Sequence, residues 1–256
     1  MSQRMPALFL GHGSPMNALE DNAYTQTWAE LGRRFPAPKA ILMISAHWMT
    51  NTTAVTAMEQ PRTIHDFGGF PPALYAMQYP APGNPALAQR VAALLAPETV
   101  VLDHSWGLDH GAWSLLVKVY PQANIPVVQL SLNLNQDAAY HYALGQQLSA
   151  LRDEGIMLIA SGNVVHNLRQ LHPQIRAYDW AERFDQAVKN KIIQGYFEAL
   201  IHFEKMGMDA RLSIPTAEHY LPLLYILGAK RDDDQLEVLC EDLEMGSISM
   251  TSYLFN

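Results

Sequence analysis

The stretch Ala40-Ile41-Leu42-Met43-Ile44-Ser45-Ala46-His47-Trp48 decides the fold class. Its first seven residues are apolar but for one serine, and they show neither the alternation of a half-exposed strand nor the stripe of a surface helix. Such a run suits a strand covered on both faces, the situation of a parallel sheet between helices. Ile156–Ala160, followed by Ser161 and Gly162, has the same character. Working outward, Ala7–Leu10, Thr52–Ala57, Val100–Leu102, Val127–Leu132 and Ser247–Leu254 are further strand candidates. Segments of helical periodicity lie between them: Pro85–Leu95, Ala112–Tyr120, Asp137–Leu151, Ala181–Ala199 and Ala217–Leu227. The alternation predicts an α/β fold, one catalytic domain over residues 1–256, with a mostly parallel or mixed central sheet flanked by helices.

Local chemistry sets some boundaries. Asn135 and Asp137 are cap candidates for the helix after them, and Gly155 supplies a left-handed residue before the next strand. The segment from Gln60 to Pro85 is dense in proline and glycine and predicts a long ordered loop.

Composition narrows the function. Hydrophobic residues make up 49% of the chain and charged residues 16%, a compact globule's balance. With a net charge of −8 and no Lys/Arg cluster, no nucleic-acid partner is expected. No stretch approaches the roughly 18 apolar residues of a membrane span, and MSQRMPALFLGHGSP carries no recognisable targeting signal. Cys240 is the only cysteine, which excludes an internal disulfide and a Cys-rich zinc module and fits a cytoplasmic location. Its context, LEVLCEDL, reads as a small buried hydrophobe.

The ten histidines are numerous for so lightly charged a chain. His12, His47 and His166 each follow or end an apolar strand, and His219 sits at an expected helix start after Thr216, so all four belong where side chains converge above a parallel sheet. His12 lies in Gly11-His12-Gly13-Ser14-Pro15, where glycines leave room near the main chain. A hydrogen-bonded core histidine is the bland alternative for each. Either Glu218 or His219 is available as a ligand, but adjacent helix positions diverge by about 100°, so one ion would take only one of them. Imidazoles with a possible carboxylate suit Fe(II), Zn(II) or Mn(II), and no HExxH pair marks a zinc protease. His110 either meets substrate oxygen or fixes a loop. His65 either lines a pocket with Phe67, Phe70 and Tyr75 or packs the long loop. His104, His141, His172 and His202 read as structural or surface residues. Neither a phosphate loop nor a G-x-S-x-G elbow is present.

GHGSP with His12, SAHW with His47, GNVVHNL with His166 and DHGAW with His110 together resemble the class III extradiol ring-cleavage dioxygenases. HDFGGFP and EHYLPLL bring the likeness closer to the 4,5-DOPA dioxygenase group, and it runs from about Leu8 to Gly228. The resemblance implies a mononuclear non-haem iron site held by His12, His47 and one residue of the C-terminal motif, taken as His219 with Glu218 as the alternative. It also implies His166 as the acid/base residue, with a fourth-ligand role open to it.

On that resemblance the expected substrates are O2 and an aromatic diol, DOPA or a related catechol. His166 would take a phenolic proton, His110 would donate to the oxygen side of the reaction, and His65, Phe67, Phe70 and Trp113 would hold the ring. The product would be a ring-opened semialdehyde. Fe(II) is expected for activity, and Zn(II) competes for the same donors. The rival readings are a zinc-dependent hydrolase and a non-catalytic metal or redox-signalling protein on the same fold.

Overall fold

The computed structural model describes residues 4–256. Among the described residues ten strands form: β1 (Ala7–Gly11), β2 (Ala40–Thr50), β3 (Ala54–Thr56), β4 (Val101–Asp103), β5 (Val127–Asn133), β6 (Ile156–Gly162), β7 (Leu236–Leu239), β8 (Leu243–Glu244), β9 (Ile248–Ser249) and β10 (Ser252–Phe255). Eight of them make one sheet in the order β4-β3-β5-β2-β6-β1-β10-β7, and β8 and β9 make a separate hairpin. The central four, β5-β2-β6-β1, are parallel. Antiparallel neighbours at β3, β10 and β7 make the sheet mixed, as expected.

The apolar runs are explained by two cores. Phe9, Leu42, Ile44, Leu158 and Ala160 face one core with the helices Pro85–Leu94, Ala138–Leu148, Asp179–Gln194 and Leu221–Ala229. Leu8, Leu10, Ile41, Met43, Met157 and Ile159 face the other, with the helices Ala23–Arg34 and His110–Val119. Successive side chains point to opposite faces, so a strand buried on both sides loses its polar alternation.

Three expectations are corrected in detail. The helix expected over Ala217–Leu227 begins only at Leu221, with Glu218, His219 and Tyr220 in a turn before it. Pro222 is the cause, because its ring would clash with the carbonyl four residues back if the helix ran through. The segment Ala181–Ala199 is cut at Gly195, whose φ of 74° ends one helix before Phe197–Ile201 begins another. Ser247–Leu254 divides into β9 and β10, and Met245 (φ 51°) and Gly246 (φ 84°) form the tight turn before β9. The helix Ala23–Arg34 lies outside the sequence expectations, although Tyr24, Trp28 and Leu31 are buried at helical spacing and Asn22 and Thr25 form a capping box. Asp137 caps its helix through the Tyr140 amide, and Gly155 has φ 86°.

Candidate metal centre

The parallel strands carry their histidines to one end of the sheet. His12 follows β1, His47 lies near the end of β2, and His166 follows β6. The turn bearing His219 closes over the end of β6, where the Asn163 amide donates to the His219 carbonyl at 2.8 Å. That approach requires glycine at position 162, since a Cβ there would meet the same carbonyl at 2.2 Å. Gly13, at φ 58°, turns the chain away after His12.

Three imidazoles stand in a near-equilateral group. Ring centroids are 5.1 Å apart for His12 and His47, 5.3 Å for His12 and His219, and 5.0 Å for His47 and His219. The Nε2 atoms of His12 and His47 face each other at 3.3 Å. His12 turns its other nitrogen, Nδ1, to Ser161 Oγ at 2.9 Å, and His219 turns Nδ1 to Glu218 Oε1 at 3.3 Å. The Nε2 of His219 is buried with no hydrogen-bond partner. Thr216 Oγ1 donates to Glu218 Oε1 at 2.8 Å, so this hydroxyl steadies the carboxylate rather than capping a helix.

Two further rings adjoin the group. His166 stacks on His219 with centroids 3.4 Å apart and planes 6° from parallel. His110, first residue of its helix, lies 3.9 Å from His47 by ring centroid. Ligand atoms of His12, His47 and His110 lie within 4.8 Å of one another, as do those of His166, Glu218 and His219. The expected set of His12, His47 and His219 thus bridges two adjoining clusters.

Burial keeps His12, His47, His166 and His219 neutral. His12 and His219 are held well below the ordinary imidazole range by desolvation and then by neighbouring imidazoles. Desolvation, with His110 next, brings His47 down to about 3. Desolvation also brings His166 down to about 4, with Glu218 opposing the shift. Neutral imidazoles with inward-facing nitrogens are metal donors, and each ring held by a partner on its far nitrogen has its orientation fixed. The 3.3 Å spacing of the His12 and His47 nitrogens is about what two donors adopt when both bind one ion at about 2.1 Å. The unpartnered His219 Nε2 is otherwise a costly buried group. The residues fit a single metal ion.

Asp66 and Asp109 organise the rim. Asp66 accepts the His110 amide at 2.9 Å and sits 3.0 Å from His110 Nδ1. Although burial opposes it, these His110 contacts hold the Asp66 carboxyl below its usual range. Asp109 caps the same helix, accepting the Ala112 amide at 3.1 Å and the Ser45 hydroxyl at 2.6 Å, with Gln129 Nε2 also donating. Ser45 Oγ in turn accepts the His47 amide at 3.3 Å.

Above the rings is a cavity of about 420 Å³ whose wall includes all five imidazoles, Asp66, Phe67, Phe70, Leu168, Leu171, Met245 and Ile248. Phe67 and Phe70, two of the residues expected around substrate, line this cavity. His65 and Trp113, expected against substrate, pack behind Phe67 instead: His65 Nε2 meets the Met77 carbonyl at 2.9 Å and Trp113 Nε1 donates to Ile64 O at 2.8 Å. Sequence reasoning missed Asp66, Asp109, Ser45 and Ser161. Of these only Asp109 left a local signal, as a helix cap three residues before Ala112. His104 and His172 are exposed, His202 is half-buried, and the buried His141 meets the Tyr225 hydroxyl at 3.0 Å. Cys240 is half-buried, with burial raising its thiol.

A parallel sheet whose carboxyl ends carry neutral imidazoles beneath an apolar cavity defines a metal-dependent α/β enzyme. Residues 6–256 match the family described as the catalytic LigB subunit of aromatic ring-opening dioxygenase, and the chain belongs to that family. It is 57% identical to a protein of Escherichia coli K12 named 4,5-DOPA dioxygenase extradiol, covering 98% of this chain and 94% of that one. A protein of the same name from Beta vulgaris is 38% identical, covering 96% and 95%. A crystal structure of an uncharacterized Escherichia coli K12 protein superposes with a TM-score of 0.87 at 49% identity, covering 99% of this chain and 100% of that one. Among the described residues no helix is long and apolar enough to cross a membrane.

Proposed function

We propose that this chain opens a catechol ring by extradiol cleavage, with DOPA or a related catechol as substrate and one Fe(II) held by His12, His47 and His219. The observation that carries the reading is the inward-facing imidazole group with its paired and unpartnered Nε2 atoms under an aromatic-walled cavity. When bound, the metal supplies charge stabilisation for the diol oxygens and a position for O2.

The protein's own groups do the rest. His166 lines the cavity, is neutral near pH 7 and has the Glu218 carboxylate favouring its protonated form, so it is placed to accept the phenolic proton. His110, whose Nδ1 lies 3.0 Å from the Asp66 carboxylate, lines the cavity and is placed to donate a hydrogen bond toward the oxygen side of the reaction. Phe67 and Phe70 hold the ring and exclude water. Glu218 acts as the orienter of His219. Cavity residues run from His12 to Ile248, which supports one catalytic domain over 1–256. A cytoplasmic location is part of the proposal, supported by the single cysteine.

Zn(II) suits the same donors, so the metal found after purification reports affinity and not catalysis. Anaerobic loading with Fe(II), followed by a catechol and O2, is expected to give a yellow ring-opened product with one O2 consumed per ring. Hydrolytic turnover by the Zn(II) form without O2, and no ring opening by the Fe(II) form, would replace this reading with the hydrolase.

A further inference from the structure

The three proposed ligand rings each turn one nitrogen away from the ion, and each of these nitrogens faces a different part of the fold. His12 Nδ1 meets Ser161 and His219 Nδ1 meets Glu218. For His47, whose Nε2 faces inward, the group opposite Nδ1 is Asp66 Oδ2 at 3.9 Å. That separation is too long for a hydrogen bond, so the carboxylate acts on this ring through its charge. Among the described residues it is the one carboxylate paired with His47.

Asp66 divides its two oxygens between neighbouring rings. Oδ1 accepts the His110 amide at 2.9 Å and lies 3.0 Å from His110 Nδ1, while Oδ2 faces His47. The side chain is only 20% exposed, so solvent and salt screen its charge incompletely.

Its place in the chain gives this arrangement a second consequence. Before Asp66 the long loop is pinned: the Leu108 amide donates to the Arg62 carbonyl at 2.9 Å, the Ile64 amide to the Leu108 carbonyl at 2.8 Å, and Trp113 Nε1 to the Ile64 carbonyl. Beyond it, among the described residues, no backbone hydrogen bond holds residues 67–70. Gly68 and Gly69 are exposed, with open space where a Cβ would stand, and Gly69 has φ 80°. Yet this segment carries Phe67 and Phe70, which wall the cavity, and Phe67 meets the His110 ring edge-on at 5.5 Å. Asp66 is the last polar anchor before the segment.

We infer, on the metal reading proposed above, that Asp66 is a positioning residue that ties the segment covering the substrate to the metal ligand His47. With Nε2 given to an ion, the Nδ1–H of His47 carries more positive charge and draws the carboxylate more strongly. Residues 67–70 are then held more firmly, and by linkage that ordering returns as ion affinity by the same factor. The ring-covering wall is complete only when the metal is in place.

The test uses Zn(II) alone, without catechol or O2, and reads Zn(II) affinity by competition titration beside the rate of chymotrypsin cutting after Phe67. In the unaltered protein Zn(II) should slow that cut. Asp66→Asn is nearly isosteric and keeps an acceptor for the His110 amide but loses the charge. It should bind Zn(II) about 10–100-fold more weakly, and saturating Zn(II) should no longer slow the cut. Arg62→Ala removes the bond from Arg62 Nε to the Trp106 carbonyl, 3.0 Å in the same loop, without touching either ring. It should keep the Zn(II) affinity of the unaltered protein. Undiminished affinity in Asp66→Asn, an equal loss in Arg62→Ala, or cutting that Zn(II) fails to slow in the unaltered protein would overturn the inference. If the protein bound metal but its Fe(II) form opened no catechol, the ring-cleavage reading would fall, while these measurements would still decide the role of Asp66.

Discussion

The two ends of the sheet treat buried polar groups in opposite ways. Near the amino ends of β1 and β6 the fully buried Arg152 meets both oxygens of Asp234, at 2.6 and 2.8 Å, and donates to the carbonyls of Met5, Ala229 and Phe255. At the carboxyl end five imidazoles converge, with the Nε2 atoms of His12 and His47 facing each other and the buried Nε2 of His219 left without a hydrogen-bond partner. Saturated hydrogen bonding at one end ties the chain's first and last segments to the sheet. Convergent unsatisfied donors at the other cost stability and make sense only with a ligand between them. The contrast separates buried polarity that serves folding from buried polarity that serves chemistry.

The sharpest way to break this contrast is His166→Gln. If His166 handles the proton and does not hold the metal, the variant retains metal and catechol binding but loses turnover by about 10²–10⁴-fold. Single-turnover kinetics beside metal analysis would show it. Loss of the metal would make His166 a fourth ligand, and normal turnover would return it to a packing role.

At the other end, Arg152→Ala leaves Asp234 buried without its partner. It should cost about 3–5 kcal/mol in urea unfolding, because a broken buried pair strands a charge. The residual folded protein should still bind metal with undiminished affinity. A large loss of affinity would join the two ends that the comparison keeps apart.

His141 gives a third test, away from both ends. Burial lowers it to about 4, against about 6.5 in the unfolded chain. Below pH 6.5 the unfolded chain takes up a proton that the folded one refuses, so stability falls as pH drops toward 4 and then levels. The loss attributable to this ring amounts to about 3 kcal/mol at most. His141→Gln should remove that part of the pH slope in equilibrium denaturation; an unchanged slope would mean that another group carries it.

The smallest effect concerns the pair in the turn. Glu218→Ala should weaken metal binding only about 10–100-fold, as loss of an orienting partner does, and less than His219→Ala. The reverse ranking in a metal-competition titration would make Glu218 the ligand.

Much of this arrangement was legible in the sequence because a polar imidazole at the end of an apolar strand has few places to point. His12, His47 and His166 are readable in that way, and the fold gathers them at one end of the sheet. The turn at Glu218 and His219 was misread as helix because its apolar spacing outweighed the veto of Pro222. Ser161 and Asp66 were not legible, since their roles come from pairings across the fold: Ser161 reaches His12 from 149 residues away and Asp66 reaches His110 from 44. Trp113 and His65 carry the right chemistry for a pocket wall but face one layer behind it. Leu168, Leu171 and Met245 look like ordinary apolar residues until the topology gathers them at one mouth.

The central claim is that imidazoles from β1, β2 and the turn before Leu221 hold one metal ion. Metal content per chain, measured beside circular dichroism for the unaltered protein, His12→Ala and His47→Ala, tests it most directly. The account predicts one ion per unaltered chain, a near-complete loss in each variant, and unchanged dichroism, because neither ring is part of the two apolar cores. Full metal retention in both variants would contradict it.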